Sequence, residues 1–471
     1  MAFISLSSLL LSITASDKHI LHCLLLLIVI LTFESMSGGL KLWYTDSDSP
    51  PIDPFQAYGY WTATGLYILR ALALLSLPQV LCNFLGLTLY NAFASKVTLK
   101  GTPLLAPFIC IRTVTRGDYP DLIHNNVNRN LNTCLGAGLD NFIIEVVTDR
   151  PIGLVKSPRL REVVVPTDYK TKTGALFKAR ALQYCLEDDN NILGDNDWVV
   201  HLDEETIMTE NAIHGILNFV VNNKHEFGQG LITYANEDVV NWWTTLADSF
   251  RVADDMGKLR FQFYMFHRPL FSWKGSYVVT KLSAERAVSF DHGLDGSVAE
   301  DCYFSMIAYK NGYTFDFIEG EMWEKSPFTL LDFLKQRKRW MQGIFLVVHS
   351  PAIPLQNKIF LALSLYAWLT MPLSTSNLIF ASIYPLPSTS WCNFLSTFVG
   401  AVSIYMYIFG VIKSFTLTRI GIGRYLLCLV GAVLTIPFNI VIENVAVLWG
   451  FIGKKHTFYI VQKQYKPSFN V

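Results

Sequence analysis

Apolar residues crowd into the two ends of this 471-residue chain and thin out between them. Stretches at about 20–33 and 60–90 precede, and stretches at about 359–384, 392–412 and 425–452 follow, a middle region of ordinary mixed composition. A helix crosses a bilayer with roughly 20 mostly apolar residues. The pattern therefore predicts an N-terminal membrane region (1–94), a globular middle domain (95–343) and a C-terminal membrane region with a short basic tail (344–471). The first stretch, ILHCLLLLIVILTF, is short for a span, but Lys18 and His19 can snorkel. No strongly basic run precedes it and no clear small-residue cleavage site follows, so it reads as a signal anchor in preference to a cleaved signal peptide. Hydrophobic residues are 51% of the chain and charged residues 16%, and the mean hydropathy is +0.31. That excludes a disordered chain and argues against an ordinary soluble protein.

Charge and cysteine narrow the classes further. The 38 Lys and Arg balance the 38 Asp and Glu, so no basic excess points to nucleic acid. None of the eight Cys forms a C-x-x-C pair, which suggests packed, reduced thiols and neither a zinc site nor a disulfide framework. Between the first two spans Glu34, Asp46, Asp48 and Asp53 oppose Lys41 alone, whereas Lys96, Lys100, Arg112 and Arg116 follow the second. By the positive-inside rule the middle region faces the cytosol. Five plain spans would then strand Lys454, Lys455, Lys463 and Lys466 on the far side. The last stretch also holds Pro437, Asn439, Glu443 and Asn444, which are costly in lipid unless packed or wet. A re-entrant hairpin and two short crossings both fit 425–452.

The middle region alternates strand-like and helix-like runs. Strands are expected at 107–114 (PFICIRTV), 141–149 (NFIIEVVTD), 197–205 (DWVVHLDEE) and 230–234 (GLITY), and helices at 125–135, 174–187 and 210–222. This order predicts a largely parallel α/β sheet, whose ligands lie beyond the carboxyl ends of the strands.

Five constellations carry candidate chemistry. On an alternating strand Asp203 and Glu205 project together, a pair suited to a hard divalent cation with phosphate and water as its other ligands. An acidic strand-to-helix turn capped by Thr206 fits the same residues. Asp149, at another strand end, suits a nucleobase or ribose, or simply a turn before Arg150-Pro151. Glu300-Asp301, after a glycine-rich turn, offers a general base for an acceptor hydroxyl, or a macrodipole partner for the helix that follows. Gln336, Arg339 and Trp340 share one face at i, i+3 and i+4, at the end of a helix expected to start near Ser326-Pro327. They present a cation for pyrophosphate and an aromatic wall for a sugar; a basic helix meeting anionic lipid is the alternative, and the role expected of Arg337 and Lys338. In 172–182 (KTGALFKARAL), Gly174 lets a helix start approach a ligand, and Lys178 suits phosphate or a pairing with Asp203.

A strand-end Asp, a Gly-Ala-Lys helix, an acidic strand end, Glu-Asp and Gln-x-x-Arg-Trp follow one another through one α/β domain that then enters a membrane cluster. This order resembles the inverting, processive-type branch of glycosyltransferase family 2. HLDEET, SVAEDCYF and QRKRWMQG resemble the pattern of the egghead-type β-1,4-mannosyltransferases of invertebrate glycosphingolipid synthesis. The resemblance implies a GT-A-like fold of the nucleotide-diphospho-sugar transferases, flanked by transmembrane helices at both ends. It also implies GDP-mannose as donor, glucosylceramide in the bilayer as acceptor, Mn2+ or Mg2+ as cofactor, and a cytosol-facing site in the endoplasmic reticulum or Golgi. By it, Asp203 and Glu205 hold the metal, and Arg116, Asp149, Lys178, Asp203 and Arg339 the nucleotide sugar. Asp301 is the catalytic base, and Glu300, Gln336 and Trp340 meet the acceptor. The aromatic run 261–273 (FQFYMFHRPLFSW) either helps seat a lipid-linked acceptor or packs the core. One departure stands out: the family's Asp-x-Asp is Asp203-Glu204-Glu205 here. A UDP-sugar enzyme, glycolipid-forming or a processive polysaccharide synthase, is the alternative activity, and a non-catalytic membrane scaffold the alternative class.

Overall fold

β-Branched and aliphatic runs bounded by polar turns build the middle of the chain. In the computed structural model, which describes residues 14–40, 52–93, 96–103, 106–236, 239–271, 273–454, 459 and 463, they form one seven-stranded sheet in the order β3-β2-β1-β4-β6-β5-β7. The strands are β1 Ile109–Thr115, β2 Phe142–Thr148, β3 Leu160–Val164, β4 Trp198–Asp203, β5 Phe227–Thr233, β6 Val278–Lys281 and β7 Phe315–Trp323. β1 pairs parallel with β2 and with β4, setting Val114 beside Asp203. β6 alone runs antiparallel, between β4 and β5. All of β2 and β5 is buried, as expected of strands covered on both faces. The chain winds outward from β1 on one side and from β4 on the other, so the β1–β4 boundary is the switch point at which such sheets open a crevice. A buried lattice braces this boundary from below: Arg112 pairs with Glu145 at 2.6 Å and Glu285 at 3.2 Å, and Glu285 also meets His201 at 2.8 Å.

Apolar helices flank this sheet at both ends, completing the mixed, mostly parallel architecture that the resemblance implies. Among the described residues, four helices are long and apolar enough to cross a membrane: Ala15–Ser37, Tyr60–Leu89, Ser390–Ser414 and Leu417–Leu434. Leu355–Leu369 and Met371–Ile383 form a pair bent by 51°, where one stretch at 359–384 was expected. Pro372 at the first turn of the second helix starts it afresh. The stretch expected at 425–452 is likewise two helices, Leu417–Leu434 and Ile436–Ile452. Ser390–Ser414 packs along Trp242–Asp254 of the middle region. A Cβ on Gly410 would overlap the Ser249 carbonyl, so glycine sets that closeness. Lys41, Asp46, Asp48, Lys455 and Lys466, used above to read orientation, lie outside the described residues.

The two ends of the last helix pair return to the same side. Arg419 donates to the Ala235 carbonyl at 3.2 Å, Gln342 Nε2 donates to the Gly450 carbonyl at 2.9 Å, and Lys463 reaches the sheet. Lys463 therefore lies on the same side as the middle region. The costly polar groups are packed: Asn444 donates to Thr375 at 3.0 Å, and Glu443 accepts from Trp368 Nε1 at 3.1 Å.

Candidate active site

The carboxyl ends of β1, β2 and β4 open into a cleft of about 1030 Å³. Arg116 and Asp149 enter it just past β1 and β2, and Asp203 ends β4. Lys178 comes from the short helix Phe177–Tyr184. Glu300 and Asp301 open helix Glu300–Lys310, whose N-terminal dipole favours their charge. Gln336, Arg339 and Trp340 share the cleft-facing side of helix Leu330–His349. Arg116, Asp149, Lys178, Asp203, Glu205, Glu300, Asp301, Gln336, Arg339 and Trp340 all line this one cleft, whereas Gly174 does not.

Lys178 is the hub. Its ammonium donates to Asp203 Oδ1 at 2.6 Å and to the Gly275 carbonyl at 2.9 Å, and lies 3.9 Å from Glu300. Gly275 keeps this knot tight, because a Cβ there would stand 3.0 Å from Asp301 Oδ2. Asp301 Oδ1 accepts the Cys302 N–H at 2.7 Å. Asp149 pairs with Arg180 at 2.8 Å, and Arg116 with Asp118 at 3.5 Å. The ammonium of Lys463, from the tail, donates to Glu204 at 2.6 Å and also to Glu205. Its backbone N–H reaches Tyr119 Oη at 3.0 Å, while Tyr459 donates to Asp332 at 2.6 Å.

The carboxyls differ in how readily they ionise. Burial pushes Asp203 upward, but the Lys178 ammonium outweighs it and holds Asp203 below its ordinary range. Burial raises Glu205, only partly offset by Lys463, and raises Asp301. Glu300 is pushed up to about 7 by burial and then by the Asp301 charge. Glu324, just past β7, also reaches about 7, through burial and then Glu205 and Asp203. Carboxyls with separated ionisation in one cleft suit proton transfer beside a charged ligand.

Comparison with known proteins fixes the family. A model of the family described as "Glycosyl transferase family group 2" matches residues 198–413. The chain is 66% identical over 449 residues to β-1,4-mannosyltransferase egh of Drosophila melanogaster, covering 95% of this chain and 98% of that protein. It is 60% identical to β-1,4-mannosyltransferase bre-3 of Caenorhabditis elegans, with the same coverage of both chains. The chain belongs to this family of β-1,4-mannosyltransferases. Among solved structures it is similar to the mannosyltransferase PcManGT from Pyrobaculum calidifontis in complex with GDP-Man and Mn2+, with a TM-score of 0.45 and 14% identity over 82% of this chain and 99% of that one.

In this mannosyltransferase several local expectations need correction. β4 ends at Asp203, and Thr206 N–H closes a turn on the Asp203 carbonyl at 3.1 Å. Strand alternation therefore does not bring Glu205 to the cleft; the turn does, and it brings Glu204 as well. Helix 174–187 is shorter than expected, Phe177–Tyr184, because Gly174 and Phe177 both take positive φ. The helix of Gln336 starts at Leu330, not near Ser326-Pro327, because Thr329 caps it by accepting the Asp332 N–H at 3.1 Å. Gln336–Trp340 is mid-helix, since the helix continues to His349. Arg337 does not face lipid: it is 5% exposed and pairs with Asp248 at 2.8 Å and Glu443 at 3.1 Å. Within 261–273, Phe261, Phe263, Phe271 and Trp273 are buried, so core packing accounts for most of this run, and only Trp273 among them lines the cleft. Glu324, Trp368 and Lys463 were not anticipated as cleft residues. An acid directly after a strand was the available signal for Glu324.

Proposed function

We propose that this mannosyltransferase moves mannose from GDP-mannose to glucosylceramide with inversion, forming a β-1,4-mannosyl glycolipid at the cytosolic face of the endoplasmic reticulum or Golgi. The carrying observation is that one cleft is lined both by the acidic, lysine-centred group around Asp203 and Asp301 and by Trp368 of an apolar helix. A charged donor suits the first group and a lipid-borne acceptor the second.

Asp203, Glu204 and Glu205 offer only oxygen donors, the set that Mg2+ or Mn2+ takes. The Lys463 ammonium between Glu204 and Glu205 acts as a stand-in, because it shows that a positive charge fits there. Asp203 and Glu205 would hold the ion, with Glu204 beside them. When bound, it supplies positive charge to the departing diphosphate. Lys178 and Arg339 add fixed positive charge at the same end. Asp149 and Arg116 hold the nucleoside side of the donor. Glu300, Gln336 and Trp340 hold the acceptor; Gln336 Oε1 is buried without a hydrogen-bond partner among the described residues, so it has room for a hydroxyl donor. Asp301 takes the proton from the acceptor hydroxyl as that oxygen attacks the anomeric carbon opposite the diphosphate. A single displacement inverts that centre. The test is to offer membranes containing the full chain a panel of labelled UDP- and GDP-sugars and to analyse the lipids. One mannose per lipid, from GDP-mannose only, is expected; a polymer or UDP-sugar transfer would overturn the reading.

Two expected results arise here. The base must be ionised to accept a proton, and burial raises Asp301. The rate should therefore fall on the acid side at a pH above the ordinary carboxylate range, with Glu300, pushed up to about 7, bending the same limb. A profile of log kcat/KM that stays flat down to about pH 4.5 would remove Asp301 from proton transfer. Stability runs the opposite way: the contribution of a raised carboxyl is complete below its unfolded value near 4.5 and is lost as pH climbs through about 7. Lys463→Ala should lower the Mn2+ concentration giving half-maximal activation by about tenfold, since 1.4 kcal/mol of competing ion pairing is worth that factor. A higher requirement would show that the lysine organises the ligands instead of competing for them.

A further inference from the structure

Besides Trp273, two tryptophans line the cleft, Trp340 and Trp368. One ion pair touches both. The Arg337 guanidinium lies under the Trp340 ring at 4.5 Å, and its Nε is 3.1 Å from Glu443 Oε1. The other oxygen of Glu443 accepts the Trp368 Nε1–H at 3.1 Å. Arg251 also lies over the Trp340 ring, at 4.6 Å, and Asp248, fully buried, gathers both guanidiniums, joining Arg337 at 2.8 Å and Arg251 at 3.4 Å. Trp368 ends helix Leu355–Leu369 just before the 51° bend, and Glu443 sits in helix Ile436–Ile452. An ionisable side chain on so apolar a helix is expensive and usually serves a site.

We infer that Trp368 joins Trp340 as the seat of the acceptor's sugar, and that Arg337 and Glu443 are positioning residues that lock the two rings in place. The inference rests on the reading of Trp340 as the acceptor wall. Indole rings offer flat apolar faces to the C–H faces of a hexose while their N–H groups need a polar partner. Glu443 satisfies that need for Trp368, whose ring also lines the cleft. Arg337 fixes Trp340 from below. A sugar seated between rings whose supports are buried and charged is held at one distance from Asp301, which is what transfer to a single hydroxyl requires.

The test uses the full-length protein in lipid nanodiscs with glucosylceramide and GDP-mannose. Trp340→Ala sets the reference for a lost acceptor wall. Trp368→Ala should raise the acceptor KM about tenfold, an effect typical of a lost ring contact, with donor KM unchanged. Trp368→Phe keeps a ring but loses the N–H, and should fall between. Glu443→Gln still accepts the indole N–H but loses the charge on Arg337. It should lower kcat for transfer about tenfold while GDP-mannose affinity stays at the wild-type value and donor hydrolysis to water persists. An unchanged acceptor KM in both Trp368 variants overturns the inference, as does a parallel loss of donor affinity, which would mark a merely structural role. If the wild type itself transfers nothing to the glycolipid, the functional reading fails and not this inference alone.

Discussion

Asp301→Asn is expected to cut mannosyl transfer about a thousandfold, the range seen when a positioned general base is lost. That corresponds to roughly 4 kcal/mol of barrier. The substitution is nearly isosteric, and Asn retains an oxygen for the Cys302 N–H that Asp301 accepts at 2.7 Å. The helix start and the fold should therefore survive. What is lost is the ability to take a proton. Loss of that charge also relieves Glu300, whose elevation to about 7 owes its second part to Asp301. Glu300 then ionises at lower pH, 3.9 Å from the Lys178 ammonium. The measurement is single-turnover transfer at saturating donor and acceptor, with GDP-mannose affinity measured separately. A variant that keeps more than about a tenth of the wild-type rate would take Asp301 out of the mechanism, whereas lost rate with intact donor affinity supports its role.

The cleft was legible in the sequence where chemistry sits at the end of a local element. Asp149 and Asp203 follow apolar strands, Asp301 opens a helix, and Gln336, Arg339 and Trp340 fall on one helical face. Parallel strands bring such ends together without any further information. Legibility failed where the outcome depends on competition between neighbours or on distant chain. Thr329 and Ser326-Pro327 are both plausible helix starts, and the Thr329–Asp332 contact decides between them. Glu204 reads as facing away on an extended strand, but β4 stops one residue earlier and the turn redirects it. Arg337 is adjacent in sequence to Lys338 and looks like a membrane-surface charge; its partners Asp248 and Glu443 lie 89 and 106 positions away. Lys463 is more than 250 positions from Glu204. No periodicity carries contacts of that range, so the place of Lys463 in the cleft and the shared support of Trp340 and Trp368 emerge only from the folded chain.

Asp203→Asn should act through a different part of the same cleft, and its signature should differ accordingly. Asp203 is held ionised because the Lys178 ammonium, at 2.6 Å, outweighs the cost of its burial. A neutral amide removes one anionic oxygen from the proposed ion site and frees Lys178. The lysine retains the Gly275 carbonyl and is drawn toward Glu300 and Asp301, whose charges already raise it together with Asp203. Two losses then combine: weaker neutralisation of the departing diphosphate, and a base whose proton affinity is lowered by the closer ammonium. A decrease of about 10²–10³ in kcat/KM is expected, the scale found when one preorganised electrostatic group is removed. The Mn2+ concentration for half-maximal activation should rise at least about tenfold, since a hard cation depends on the count of charged oxygens around it. Asp301→Asn should leave that concentration where it is. The pair of titrations therefore separates ion binding from proton transfer, and an unchanged Mn2+ requirement in Asp203→Asn would count against Asp203 as a ligand even if the rate fell.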